Sequence, residues 1–310
     1  MILLRLTKKS LLQILETIVA DHLREAISKE LNPRQHGNRK DFSSTSQLFC
    51  VHEELLLKTK LHGRVDCVRI DFTKAADMVV HSILIKKLWA LNIDPKLIKW
   101  IEAYLTDRLQ SVKIFNAVSE PRKVTSGLPQ GSPLSNVLLN IYLNDLYKIV
   151  DSHGDRPQDS DLVVYQYSDD TIFAKQITCE EDCKHLQNFL HAVEEWMEEH
   201  CMLIDPKKCN SMTFSFGKET WNSDFTYTLL GNDVKKVKSM KYLGIMVKDN
   251  FSWDEQFSNA MQNSKISFYI DLCHALGNHS DVKISCYKQY VRSRLENSCA
   301  VWNLPFSPNN

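Results

Sequence analysis

Two adjacent carboxylates, Asp169 and Asp170, sit in the run VVYQYSDDTIFAK between two β-prone flanks, 162–167 and 171–174. Side by side they repel each other, and partial burial raises the cost of ionising both. A nearby cation relieves that cost, and hard divalent metals take oxygen ligands. A two-metal site needs a third carboxylate, and Asp71, at the end of the run CVRIDF (67–72), offers one. The same residues also fit ordinary turn chemistry, because Asp favours hairpin turns and can cap the end of a strand. Asp77, six residues beyond Asp71, is a further acid but lies past the strand end. Cys179-x3-Cys183, with His185 nearby, does not match a structural zinc spacing and reads as part of a helix face.

Positioning these carboxylates takes a hairpin and a strand. The pattern around Asp169 and Asp170 predicts two short strands joined by a tight turn, with both acids at its tip. Asp71 ends a strand that follows a helix from Thr45 to about Leu61, which Gly63 terminates. Upstream, Leu12, Ile14, Leu15, Ile18, Val19, Leu23 and Ile27 recur at helical spacing between Ser10 and Leu31. The stretch 34–46 is polar and loop-like. Residues 82–106 read as helical, with a new turn at Pro95, and 108–115 alternate like a strand. A Gly-Leu-Pro-Gln-Gly loop (127–131) leads to Ser132 as a helix N-cap and Pro133 at the first helical position. Leu134, Val137, Leu138, Ile141 and Leu146 then form an apolar face. HGDRPQDSD (153–161) reads as a polar surface loop. Thr178 and Glu181 have capping-box spacing before a helix that turns Leu186, Phe189, Leu190, Val193 and Met197 inward. Short strands follow near 211–216 and 241–247, and residues 261–310 read as mostly helical. Helices and antiparallel hairpins mix without regular βα alternation, so the class is α+β.

Bulk properties narrow the partners. A chain of 310 residues with 43% hydrophobic and 25% charged content is ordinary for a globular protein. No apolar run is long enough to cross a bilayer, and the amino terminus lacks a signal-peptide cleavage site, so no membrane partner is expected. Nine irregularly spaced cysteines predict reduced thiols, no disulfide partner and an intracellular location, nuclear or cytoplasmic being left open. The formal net charge of zero argues weakly against nucleic acid, but the charge is uneven. The stretch 151–205 is acid-rich, whereas Lys207, Lys208, Lys235, Lys236, Lys238, Lys241 and Lys248 make the following stretch basic. Such a face can bind phosphates in a neutral chain, or can simply be solvated.

The order of segments is more specific than any one motif. DCVRIDFTKAAD (66–77), SGLPQGSPLSNVLLNIYLNDL (126–146), YSDD (167–170), MLIDPKKCNSMTFSF (202–216) and KYLGIMVKDNFSWDEQ (241–256) occur in that sequence. Together they resemble motifs A to E of reverse transcriptases. LTKKSLLQILETIVADHL and RQHGNRK upstream, and YKQYVRSRLENSCAVWNLP downstream, resemble the non-LTR (LINE-type) retrotransposon enzymes. Viral RNA-dependent RNA polymerases share a related Asp-Asp turn but fit the LPQG loop less well; a group II intron maturase is nearer, but the KYLG and Ala-Val-Trp segments lean toward the LINE-type elements.

The resemblance implies a right-hand polymerase fold with an antiparallel-sheet palm. It divides the chain into partial fingers (1–65), palm (66–81 and 126–250), a fingers insertion (82–125) and a thumb-proximal helical segment (251–310). It implies an RNA-directed DNA polymerase that uses an RNA template, a DNA primer and dNTPs, with two Mg²⁺ ions, or Mn²⁺, held by Asp71, Asp169 and Asp170. Lys208, in preference to Lys207, would protonate pyrophosphate. Phe72, Ala76, Gln130 and Gly131 would meet the nucleotide. Tyr242, Leu243 and Gly244 would grip the primer, and Arg39 and Lys40 would meet template phosphates.

Departures from the family pattern support an alternative, a catalytically decayed remnant that at most binds nucleic acid. Ala76 replaces the aromatic residue of the family's Ala-Phe-Asp. Asn38 stands where Phe is usual and Asn136 where Pro is common. Relative to the family the chain starts and stops abruptly, as if truncated at both ends, without the endonuclease that members often carry.

Overall fold

The computed structural model describes residues 2–3, 9–149, 161–216, 225–264, 266–275, 277 and 279–302. Its helices are α1 (Lys9–Ile27), α2 (Ser44–His62), α3 (Ala75–Met78), α4 (His81–Ala90), α5 (Pro95–Leu105), α6 (Pro133–Leu143), α7 (Glu180–Glu199) and α8 (Asp254–Asn263). Beyond them come helical segments at Ile266–Ala275, Ser280–Cys286 and Cys299–Trp302. The first strands, β1 (Ile2–Leu3), β2 (Arg64–Asp71), β3 (Leu109–Gln110), β4 (Val112–Ile114), β5 (Ala117–Val118) and β6 (Arg122–Lys123), are short apart from β2. The rest are β7 (Val163–Tyr167), β8 (Asp170–Gln176), β9 (Asn210–Ser215), β10 (Thr228–Leu229), β11 (Asn232–Asp233), β12 (Lys235–Lys236), β13 (Ser239–Tyr242) and β14 (Ile245–Lys248).

One sheet organises the molecule, in the order β12-β9-β2-β8-β7. Its long pairs are antiparallel, and only the two-residue β12–β9 pair is parallel. The central strand β2 serves two cores because successive side chains leave opposite faces. Val68 and Ile70 join the larger core with α6 and α7, through Leu138, Tyr142, Leu186 and Phe189. Val65 and Cys67 join the smaller core with α2 and the β13–β14 hairpin, through Leu55, Phe214, Tyr242 and Ile245.

Several local expectations are met. Gly63 caps α2 at φ +88°, where a side chain would be strained. Ser132 caps α6, its hydroxyl accepting from the Leu134 and Ser135 amides. The inward face of α7 is buried as read. The strand read over 241–247 is a hairpin turning at Leu243-Gly244.

Other expectations need correction. In α1 the buried stripe runs through Glu16, Ala20, Leu23 and Ile27, while Leu12, Ile14, Leu15 and Ile18 lie on exposed faces. At the start of α7 the cap lies one residue later than Thr178/Glu181 spacing suggests. The Asp182 carboxylate accepts from the Thr178 amide and hydroxyl and from the Cys179 amide. Strand β2 starts at Arg64, earlier than the apolar run, because the charged residues there are paired. Arg64 forks onto Asp66 at 2.9 and 2.8 Å, and the Tyr227 hydroxyl donates to the same carboxylate. Most of the loop at 153–161 lies outside the described residues.

Candidate active site

The three carboxylates meet at one end of the sheet. Asp71 ends β2 and stands directly opposite Asp170, the first residue of β8. Directly opposed residues share a face, so both point to the side of the smaller core. Asp169 lies in the β7–β8 turn, one residue before the strand, and Ser168 takes the left-handed φ of +59° that the tight turn requires. Burial raises the pKa of Asp170; the guanidinium of Arg69 opposes the shift, and the charges of Asp169 and Asp71 add to it. Asp169 is exposed at the surface, yet desolvation by the packed turn, ahead of the charge of Asp71, raises its pKa too.

Two cations of the chain already lean on this trio. Arg69 Nε and Nη2 lie 2.8 and 2.7 Å from Asp170 Oδ1. Lys208 Nζ is 3.6 Å from Asp71 Oδ1 and 3.8 Å from Asp205 Oδ2. As they stand, no three His, Cys, Asp or Glu side chains among the described residues are grouped to hold a metal. The donor set itself is the hard-oxygen type that Mg²⁺ and Mn²⁺ favour, and the raised pKa values of Asp169 and Asp170 mark negative charge that a cation would relieve.

The turn carrying Asp169 is fixed from behind by residues 32–37. Gln35 Oε1 accepts from the amides of Gly37 and Ser168, at 2.8 and 3.0 Å. The His36 amide donates to the Gln166 carbonyl, and the Gln166 amide donates to the Arg34 carbonyl. Buried amide side chains continue the lock. Asn32 Nδ2 donates to the Val164 carbonyl and to Gln166 Oε1, Gln166 Nε2 to the Leu143 carbonyl, and Asn140 Nδ2 to the Gly37 carbonyl. Gly37 is packed so closely that an added Cβ would lie 2.4 Å from the Ser168 nitrogen.

A second lock joins the segment after β2, at α3 and Val79, to the Gly-Leu-Pro-Gln-Gly loop. The Gly127 amide donates to the Val79 carbonyl, the Leu128 amide to the Ala76 carbonyl, and Gln130 Nε2 to Asp77 Oδ1. Gly127 has φ +84°, and a Cβ there would strike the Asp77 backbone at 2.7 Å. A third lock holds the segment bearing Lys208: the Thr73 amide donates to the Leu203 carbonyl and the Asp205 amide to the Asp71 carbonyl.

Comparison with known proteins accords with this geometry. Residues 4–247 match the family model described as reverse transcriptase (RNA-dependent DNA polymerase). The chain belongs to the reverse transcriptase family.

Similar curated proteins include the probable RNA-directed DNA polymerase from transposon BS of Drosophila melanogaster. It is 27% identical over 76% of this chain and 26% of its own length. The RNA-directed DNA polymerase from mobile element jockey, of the same species, is 24% identical over 82% of this chain and 27% of its own. A Pol polyprotein from the type-1 retrotransposable element R2 of Popillia japonica is 25% identical over 62% of this chain and 32% of its own. The chain thus spans about a quarter to a third of these relatives. Among solved structures, apo telomerase from Candida tropicalis, truncated from its C-terminal domain, matches with a TM-score of 0.54 and 13% identity. The match covers 78% of this chain and 44% of that one. It supports a polymerase-type fold, and the mobile-element relatives bear out the resemblance to the reverse transcriptase domain of non-LTR elements.

Within this reverse transcriptase chain the remaining predicted residues are placed unevenly. The structure turns Lys208, rather than Lys207, toward Asp71. Gln130 and Gly131 are exposed on the loop, Gly131 with φ +77°. Ala76 is half-buried against the larger core. The ring of Phe72 is buried in that core and the ring of Tyr242 in the smaller one, so neither ring presents a ligand surface. Leu243 and Gly244 form the hairpin turn, and Gly244 is exposed. The Arg39 guanidinium is turned inward, donating to the carbonyls of Asn32, Gln35 and Ser28, because the loop needs those carbonyls satisfied. Lys40 is exposed and lines a groove with Arg24, Asn38, Phe42 and Asn140. Sequence reasoning set Asp77 aside and missed Arg69, Gln35 and Asp205. Arg69 carried a signal, a charge two residues before Asp71 and therefore on the same strand face.

No described helix is long and apolar enough to cross a membrane.

Proposed function

We propose that this chain acts as an RNA-directed DNA polymerase domain, adding nucleotides from dNTPs to a DNA primer 3′-hydroxyl on an RNA template. The observation that carries this reading is the opposition of Asp71 and Asp170 across the β2–β8 register, with Asp169 in the adjoining turn. Asp71, Asp169 and Asp170 would together hold two Mg²⁺ ions, with Mn²⁺ able to substitute. When bound, such ions acidify the attacking hydroxyl and neutralise charge on the phosphates.

The chain's own residues supply the rest. Lys208, close to Asp71, would give a proton to the departing pyrophosphate. The Gln130-Gly131 loop, hung from Asp77, would sit beneath the incoming nucleotide and its template base. The Phe72 and Ala76 backbones would border that nucleotide. The Leu243-Gly244 turn would meet the primer end, with Tyr242 anchoring it from the core, and Lys40 would meet the template while Arg39 shapes its loop. On this reading residues 66–81 and 126–250 form the palm, 1–65 and 82–125 the fingers, and 251–310 the approach to the thumb.

Primer extension on an RNA template with Mg²⁺ tests the proposal. Replacing Asp169 by Ala should lower the rate roughly a hundredfold or more, since one carboxylate is worth several kcal/mol of transition-state stabilisation. Extension that survives Asp169→Ala would overturn the site. A second reading, a remnant that binds nucleic acid without polymerising, is favoured by the Arg69 fork on Asp170. It predicts retained RNA binding with no extension by the unaltered chain.

A further inference from the structure

The carboxylate trio is not waiting bare for a cation. Two of the three guanidinium nitrogens of Arg69, Nε and Nη2, converge on Asp170 Oδ1, at 2.8 and 2.7 Å, and the other oxygen takes no part in that fork. Arg69 and Asp170 retain only 16% and 25% side-chain exposure, so solvent screens the pair less than it would a surface ion pair. A divalent ion binding Asp170 must therefore compete with a guanidinium already in place.

Arg69 also has somewhere else to go. On its other side β2 pairs with β9, and Arg69 stands directly opposite Asn210. Directly opposed residues project to one face with Cβ atoms only ~5 Å apart, well within reach of an arginine. Asn210 Oδ1 is shielded from solvent and has no hydrogen-bond partner, while Nδ2 of the same side chain donates to the Lys208 carbonyl. An orphaned acceptor of this kind carries a desolvation cost that a guanidinium donor would remove. Moving Arg69 from Asp170 to Asn210 would free a carboxylate oxygen and satisfy the buried amide in one step.

We propose that Arg69 is a positioning residue of the metal site. It holds Asp170 as a resident counter-ion without metal, and transfers to Asn210 Oδ1 when a divalent cation binds. The inference rests on reading Asp71, Asp169 and Asp170 as metal ligands. It makes metal uptake a three-way exchange among Arg69, Asp170 and Asn210, with the threshold for cation set by two residues that are not ligands themselves.

The test is Mn²⁺ binding to the whole chain without nucleic acid, followed by water-proton relaxation enhancement. Arg69→Met should tighten Mn²⁺ binding roughly tenfold, the scale of one partly buried charged hydrogen bond. Arg69→Lys, which keeps a cation, should stay within about threefold of the unaltered chain on the same grounds. Asn210→Ala, which removes the second acceptor, should weaken binding several-fold. Equal affinity in Arg69→Met and the unaltered chain would overturn the inference, as would an Asn210→Ala chain that binds as tightly as its parent. Should Arg69→Met fail to fold, Arg69→Lys and Asn210→Ala still decide the outcome. Mn²⁺ binding that no substitution of Asp169 affects would instead overturn the metal-site reading itself, and the inference with it.

Discussion

At the scale of single residues, the site trades stability for charge. The pKa of Asp169 is raised, chiefly by desolvation, so the folded state holds a proton more tightly than the unfolded chain does. Stability from this group is complete below the ordinary carboxylate value near ~4 and is lost as pH rises through the higher folded value. Asp169→Asn should therefore raise the melting temperature slightly at neutral pH in EDTA, and the gain should vanish in acid. Water at the exposed turn keeps the effect small. A lower melting temperature for Asp169→Asn at neutral pH would refute this sign. Ala76 bears on selectivity. Its methyl group cannot shield a nucleotide 2′-hydroxyl as the family's aromatic ring does, so the unaltered chain should incorporate ribonucleotides readily and Ala76→Phe should restore preference for dNTPs. Equal, strong deoxy-selectivity in both would sink the idea. The meeting of Asp71, Asp169 and Asp170 was legible because carboxylates beside β-prone runs carry a chemical signal, whereas Lys208 came only from the family resemblance. Gln35 was not, because an isolated amide gains meaning only from what the fold sets opposite it, and the i, i+2 spacing of Arg69 to Asp71 put it on the right face without naming Asp170 as its partner.

At the scale of elements, the stretch 34–46 reads as a polar loop, and its first residues prove to be the back wall of the turn that carries Asp169. Its composition misled because the polar groups are satisfied within the protein: Gln35 by Gly37 of the same stretch and by Ser168 of the turn, Arg39 by the carbonyls of Ser28, Asn32 and Gln35. Asn38, which departs from the family's usual Phe, adopts φ +56°, a region that Asn tolerates better than Phe. That exchange is thus suited to its backbone. Strand β2 was under-read for a related reason, since Arg64 and Asp66 neutralise each other within the sheet. The ends of α2 and α6 were legible because Gly63 and Ser132-Pro133 are local signals that need no tertiary context. Gly37 offers the sharpest element-scale test. A Cβ there meets backbone at 2.4 Å, which a rotamer change cannot relieve. Gly37→Ala should cost roughly 1–3 kcal/mol, as overpacking does. By displacing the Asp169 turn it should also lower extension far more than that loss of folded protein explains. Unchanged stability in a urea melt would show that the 32–37 segment does not brace the turn.

At the scale of the whole molecule, the two cores share one sheet, and this dictates how the chain should unfold. Val68 and Ile70 anchor the larger core and Val65 and Cys67 the smaller, on opposite faces of β2, which lies between β8 and β9. Neither core can lose its packing without exposing a face of the same three strands. The smaller core is also tied to the far end of the chain, through Trp253, Val301 and Trp302. The sheet should therefore melt as one unit with both cores, although the chain is long enough for independent domains. Leu138→Ala and Phe214→Ala remove fully buried side chains from the larger and the smaller core respectively. Each should cost about 3–5 kcal/mol, a large share of a typical domain's stability. Because the β2 strand couples them, either substitution should shift a single calorimetric transition, with far- and near-ultraviolet dichroism moving together. A transition that splits, with one half insensitive to Phe214→Ala, would mean that the smaller core and the chain end fold independently. In that case Arg69, Asp71 and Asp170, which lie on the smaller-core face, would owe their geometry to a separable unit rather than to the sheet as a whole.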